Sequence, residues 1–178
     1  AIEAAAPAGS RTPSLAVRLD LERGRSFRSA GDAARARPLF ERAFETARDA
    51  KLDDLAVAAA HMVALVLQGD ERIAWNRRAI DMAAASPDPS ARQWAASLLN
   101  NLGWDLHDAG RAAEALPVFE QALAERRRMG GAQGIFIARW TVARCLRTLG
   151  RLDEALALQR ALEAEMLAAG KPDGYVHE

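Results

Sequence analysis

Three histidines, one cysteine and a scatter of carboxylates are what this 178-residue chain offers for chemistry. His107 and Asp108 are adjacent, His61 lies upstream and Asp153 downstream, and imidazole with carboxylate is a ligand set that divalent metals accept. No second cluster with metal-ligand spacing accompanies them, and His177 stands near the end of the sequence. The single thiol, Cys145, rules out an internal disulfide and a metal knuckle. It falls among Val142, Leu146 and Leu149, where a thiol packs as a small hydrophobe. No glycine-rich phosphate loop or nucleophile elbow is present. Neither catalysis nor a cofactor is expected.

Charge points away from nucleic acid. Lys+Arg and Asp+Glu both total 24, for a net charge of zero with neutral histidines, whereas nucleic-acid binders carry a basic excess. The densest cationic run, Arg126–Arg127–Arg128, precedes Gly130–Gly131 and reads as the last turn of a helix, where cations complement the dipole. No apolar run approaches the roughly 20 residues of a membrane span, and no signal-peptide pattern is visible, so a cytoplasmic protein is expected.

The elements that must hold these residues are helices. Half the residues are hydrophobic, alanines are many and β-branched runs few, and no stretch alternates in the manner of a strand between turn signals. The length suits one domain with a real core. The clearest stretch is 98–128. Small residues at Gly103, Gly110, Ala115 and Ala122 interleave with Leu99, Leu102, Leu106, Phe119 and Leu123. That is a helix, a tight turn at Ala109–Gly110 and an antiparallel return helix, with small residues allowing close approach of the axes.

The pattern recurs. Adding 79 to Gly24, Gly31, Ala36, Pro38, Phe40 and Ala43 gives Gly103, Gly110, Ala115, Pro117, Phe119 and Ala122. Adding forty to Leu106, Gly110, Glu114, Ala115 and Leu116 gives Leu146, Gly150, Glu154, Ala155 and Leu156. These offsets define an internal repeat. Thr12–Pro13 starts the first helix, which runs to about Ser29, and a mostly apolar helix over 53–68 turns at Gln68–Gly69–Asp70 into a return helix over 71–85. Ser86–Pro87–Asp88–Pro89 ends that helix, and Ser90 with Gln93 is read as a capping box for the next. Residues 1–11 read as a flexible leader, 12–169 as the repeat domain (units about 12–51, 53–86, 90–130 and 132–169), and 170–178 as the start of a truncated further helix.

These residues resemble the tetratricopeptide repeat, and the Leu99–Asn100–Asn101–Leu102–Gly103 start is similar to the longer variant of kinesin light chains. The resemblance implies an all-α, right-handed superhelix (α-solenoid) of about four antiparallel hairpins, with first helices lining a concave face. It further implies a non-catalytic scaffold that binds a peptide segment or small ligand of a protein partner on that face. Carried over position by position, the third unit presents Asn100, Asn101, Trp104, His107 and Asp108, and the fourth Trp140, Thr141, Arg144 and Arg147. The first unit presents Leu21, Arg25 and Arg28, and the second His61, Ala64 and Gln68. Asn101 matches the asparagine with which family members hold an extended backbone, a role that needs both a donor and an acceptor. Trp104 and Trp140 would supply flat apolar surface, and Arg25 and Arg144 would pair with carboxylates. Trp75 and Trp94 are assigned to the seams. The alternative is a self-association module, a homodimer formed through terminal repeat surfaces. A third reading, a helical metal-dependent hydrolase using His61, His107, Asp108 and Asp153, lacks the second ligand cluster.

Overall fold

Why these segments become helices is visible at their ends. A computed structural model describes residues 12–170; the expected leader over 1–11 and, but for Gly170, the expected further helix over 170–178 lie outside the described residues. Thr12 Oγ1 accepts from the Leu15 backbone N–H at 3.4 Å, and Pro13 occupies the first turn of α1 (Pro13–Ser29), so the expected start is the observed one. The remaining helices are α2 (Ala33–Asp49), α3 (Asp53–Ala64), α4 (Gly69–Ala85), the single turn α5 (Pro89–Arg92), α6 (Ala95–Asp108), α7 (Ala112–Met129), α8 (Ala132–Thr148) and α9 (Leu152–Ala168). No strand occurs among the described residues, and the fold is all-α.

Three hairpin turns share one chemistry. Gly31, Gly110 and Gly150 adopt φ of +79°, +75° and +74°, the left-handed region where a side chain is penalised and which closes a helix C-terminus. An ion pair across the first turn of the return helix follows each glycine: Asp32–Arg35, Arg111–Glu114 and Arg151–Glu154. The charges are swapped in the first, where Asp32 also accepts from the Arg35 backbone N–H at 2.9 Å. That N–H, with the Arg35 side chain, holds the Asp32 carboxyl below its ordinary range.

The α3–α4 turn departs from this pattern and from the expectation. Helix α3 stops at Ala64 and not near residue 68, Leu65–Gln68 form a loop, and the return helix begins at Gly69 (φ +57°). No glycine follows the last helical residue, so the chain cannot reverse in one left-handed step. Leu67 is buried in the loop, and its carbonyl accepts from Arg72 Nε at 2.7 Å. The expected capping box at Ser90 is also replaced. Asp88 is the cap, accepting from Ser90 N–H at 2.8 Å with Pro89 in the first turn, because a proline there leaves the preceding residue extended and free to cap.

The chain divides into two compact units, Ala1–Leu98 and Leu99–Glu178. In the first, α1 and α2 are locked by Arg42, whose Nε and Nη2 donate to Asp20 Oδ2 and Oδ1 at 2.7 and 2.5 Å. The start of α3 is tied to the loop before α5 and to the residues just after it: Ser86 Oγ donates to Asp53 Oδ2 at 2.5 Å, and Trp94 Nε1 donates to Asp54 Oδ1 at 2.9 Å. Phe40, Phe44, Val17, Val57 and Val63 are fully buried there, and Trp75 meets Phe44 edge-on at 5.1 Å, as a seam residue does. In the second unit Phe119, Leu106, Cys145, Thr141 and Leu162 are the largest fully buried side chains among the described residues. Cys145 Sγ donates to the Ala112 carbonyl at 3.4 Å, and burial raises its thiol pKa, in keeping with a packing role.

The residues repeated at the 79 offset meet in both units. A Cβ on Gly24 would lie 2.7 Å from Cδ1 of Phe40, and one on Gly103 would lie 2.6 Å from Cδ1 of Phe119. Both phenyl rings are fully buried and cannot swing aside. In the last hairpin the corresponding positions are Ala143 and Gln159, so the bare backbone disappears together with the ring that requires it. Gly24→Ala and Gly103→Ala should each lower unfolding free energy by about 1–3 kcal/mol through overpacking, measured by urea denaturation. Trimming the facing ring in the same background (Phe40→Leu or Phe119→Leu) should recover part of that loss.

Candidate functional site

Helical spacing selects which side chains of α6 and α8 can meet. Trp104 and His107 are three residues apart on α6, as Trp140, Arg144 and Thr148 are four apart on α8, so each set shares one helix face. The two faces converge. The Trp104 and Trp140 rings stand 5.9 Å apart, tilted by 43°, and both are half-buried. Trp104 also presents its edge to His107 at 5.4 Å and to Phe119 at 5.3 Å, which anchors it over the Gly103–Phe119 contact. The Arg144 guanidinium lies 5.5 Å from the Trp140 ring centre and 5.8 Å from that of Trp104. Those distances are near the outer limit of cation–π attraction, worth about 0.5–1 kcal/mol.

His107 is a tie between helices. Its Nε2 lies 2.8 Å from Thr148 Oγ1, and that hydroxyl donates to the Arg144 carbonyl at 3.3 Å. Which partner donates in the imidazole–hydroxyl contact follows from the histidine tautomer. Nδ1 is buried and makes no hydrogen bond among the described residues, with Asp108 Oδ1 3.6 Å away and beyond hydrogen-bond reach.

Of the other candidates, Asn100 and Asn101 are half-buried on α6, Asp108 and Arg147 are exposed, and neither asparagine side chain hydrogen-bonds within the described residues. Three expected groove residues are core instead: Thr141, 1% exposed with its hydroxyl on the Ala138 carbonyl, together with Leu21 and Ala64. Thr141 occupies the small-residue seam of α8 between Ala138 and Cys145, so its hydroxyl is satisfied within its own helix. The pairs Asp20–Arg42 and Asp54–Trp94 were not foreseen. For the first, the signal was an acid set in the apolar stripe Val17, Leu21, Gly24.

Arg25 and His61 belong to the first unit. Arg25 is paired with Glu22. His61 packs against Trp94 with ring centres 5.6 Å apart, and its Nδ1 is buried without a partner among the described residues. Burial, followed by the positive charges of Arg28 and Arg25, pushes its pKa below the ordinary value. The same field opposes a metal cation. No three His, Cys, Asp or Glu side chains among the described residues are placed to share a metal ion, and no described helix is long and apolar enough to cross a membrane.

A depressed folded-state pKa means that His61 stabilises the fold while neutral. As pH falls below about 6.5, the unfolded chain takes up a proton that the folded chain resists, and stability declines. Between pH 7.5 and 5.5 the wild type should therefore lose stability more steeply than His61→Gln, the difference in slope being at most about 1.4 kcal/mol per pH unit for one proton. Chemical denaturation at several pH values measures both slopes; equal slopes would mean that His61 titrates normally.

Against known proteins, residues 94–164 match the family model described as tetratricopeptide repeat, the segment that holds Trp104, His107, Trp140 and Arg144. No curated protein matches the chain's sequence. Among solved structures, a variant of the kinesin light chain nearly identical TPR-like repeats from Podosopora anserina is 19% identical with a TM-score of 0.72, over 90% of this chain and 79% of that one. BtubC (BKLC) from P. vanneervenii is 15% identical with a TM-score of 0.76, over 92% of this chain and 68% of that one. Aspartyl phosphate phosphatase F from Bacillus subtilis is 16% identical with a TM-score of 0.76, over 90% of this chain and 42% of that one. At these identities the likeness is one of fold. Residues 94–164 thus match the tetratricopeptide repeat in sequence, and over most of its length the chain is similar in fold to TPR-like repeat structures.

Proposed function

We propose that this chain is a non-catalytic scaffold that captures an extended segment of a protein partner on the α6–α8 face of its second unit. The fold is that of a family of protein-interaction scaffolds. The observation that carries the reading is the pair of half-buried tryptophans from neighbouring helices, with the Arg144 guanidinium beside both rings. Rigid aromatic surface next to an arginine is the composition of interface hot spots. Asn101, one turn from Trp104 and with no hydrogen bond to its side chain among the described residues, can offer an amide donor and acceptor to a strand of backbone. The guanidinium favours a carboxylate in that strand.

A second reading, self-association through a terminal repeat surface, draws on Leu152, Leu156 and Leu167, which α9 leaves exposed. The two readings use different surfaces and are separable.

The test of the first is selection of binders from a displayed peptide library on the wild-type chain, followed by titration. Asn101→Ala and Arg144→Ala should each weaken the selected peptides by about 1–2 kcal/mol, roughly 5- to 30-fold, and added salt should weaken acidic peptides further. Unchanged affinity in both variants, with unchanged thermal stability, would remove the binding face from α6–α8.

A further inference from the structure

Helix α9 carries an apolar face that its repeat does not use. Its buried residues, Ala155 and Leu162, lie on one side, while Leu152, Leu156 and Leu167 on another are 61%, 49% and 67% exposed. The corresponding positions of α7, forty residues earlier, are Ala112 and Leu116 for the first two, and each is only 7% exposed. Helix α8 covers them, with Cys145 donating to the Ala112 carbonyl. What covers α7 is absent from α9 among the described residues.

The sequence of this face differs from that of α7, which α8 covers. Leu116, Glu120, Leu123 and Arg127 of α7 correspond to Leu156, Arg160, Glu163 and Leu167 of α9. The half-buried leucine has become a glutamate and the exposed arginine a leucine. The new order has a symmetry of its own: leucine, arginine four residues on, glutamate three on, leucine four on. At about 100° per residue all four fall within a sector of about 60° on one side of the helix. Reversed end to end, the pattern exchanges leucine with leucine and arginine with glutamate. Arg160 and Glu163 are exposed, and neither is paired with another charge among the described residues.

We infer that this face binds the same face of a second copy, with the two α9 helices antiparallel about a two-fold axis passing between residues 161 and 162. In that register Leu156 meets Leu167 of the second copy and Arg160 meets its Glu163, each twice, as an isologous interface requires. The strip is eleven residues from leucine to leucine, about 17 Å of helix. A contact of that size belongs with small interfaces, so the dimer is weak and concentration-dependent, with its register set by charge. The inference rests on the self-association reading and gives it a surface.

Sedimentation equilibrium of the full chain over a range of concentrations tests both. Arg160→Glu and Glu163→Arg should each weaken self-association by roughly tenfold or more, because like charges then face each other at both positions. An equimolar mixture of the two variants should restore a dimer that contains one copy of each, and the double variant Arg160→Glu/Glu163→Arg should dimerise like the wild type. Far-ultraviolet circular dichroism establishes that every variant is folded. A dimer indifferent to the single reversals would overturn the α9 register while leaving self-association standing. A chain monomeric at every concentration would overturn both. A monomer that dimerises only after removal of residues 171–178 would assign the face to the chain's own end and overturn the inference as well.

Discussion

A bare patch of helix backbone facing a phenyl ring sets the spacing of the hairpins in which it occurs. Gly24 against Phe40 and Gly103 against Phe119 are the same contact in two places, each with no room for a methyl group. Close approach lets the ring fill the seam, so that Phe40 and Phe119 are completely buried. Burying a side chain of that kind stabilises a fold by about 1.5–3 kcal/mol. The contact also has a directional consequence in the second unit. Trp104, next to Gly103 in sequence, meets Phe119 edge-on and holds the edge of the α6–α8 aromatic group in place. A structural contact thereby supports the surface on which binding is proposed.

The α3–α4 hairpin shows what happens when that logic is missing. Its first helix is apolar on nearly every side, from Leu55 to Ala60 and again from Met62 to Ala64. Burial on all faces gives strong helix–helix adhesion and no signal for where to stop. Without a glycine to reverse the chain, four residues of loop make the turn, and Arg72 satisfies the Leu67 carbonyl. Fixed points come from polar groups: Asp53 holds Ser86, and Asp54 holds the Trp94 indole. Two adjacent carboxylates in the first turn of α3 serve both as helix-dipole partners and as ties to the segment that follows α4.

The histidines illustrate how one residue type takes different roles. His107 is fastened to Thr148 and connects α6 with α8 beside the aromatic group. His61 is kept neutral by burial and by two nearby guanidinium groups. The binding proposed for the second unit rests on shape and charge, from two indoles and an arginine.

Periodicity alone determined the helices, the glycine turns and the repeat, because each depends on neighbours three, four or forty residues away along the chain. Gly110 and Phe119 announce a turn and a filled seam wherever they recur, and Trp104, Trp140 and Arg144 were legible as a set once that repeat had been aligned. The tertiary structure decided what depends on partners distant in sequence. Thr141 joined the core because of the helices around it, Asp20 became the clasp for Arg42, and His107 found Thr148 forty-one residues on. The end of α3 was also settled there, since no residue in its apolar run marks a boundary and only packing and the Leu65–Gln68 loop define one. Local propensity specifies an element; which of its faces is buried, and which polar atom finds a mate, is fixed only when the elements meet.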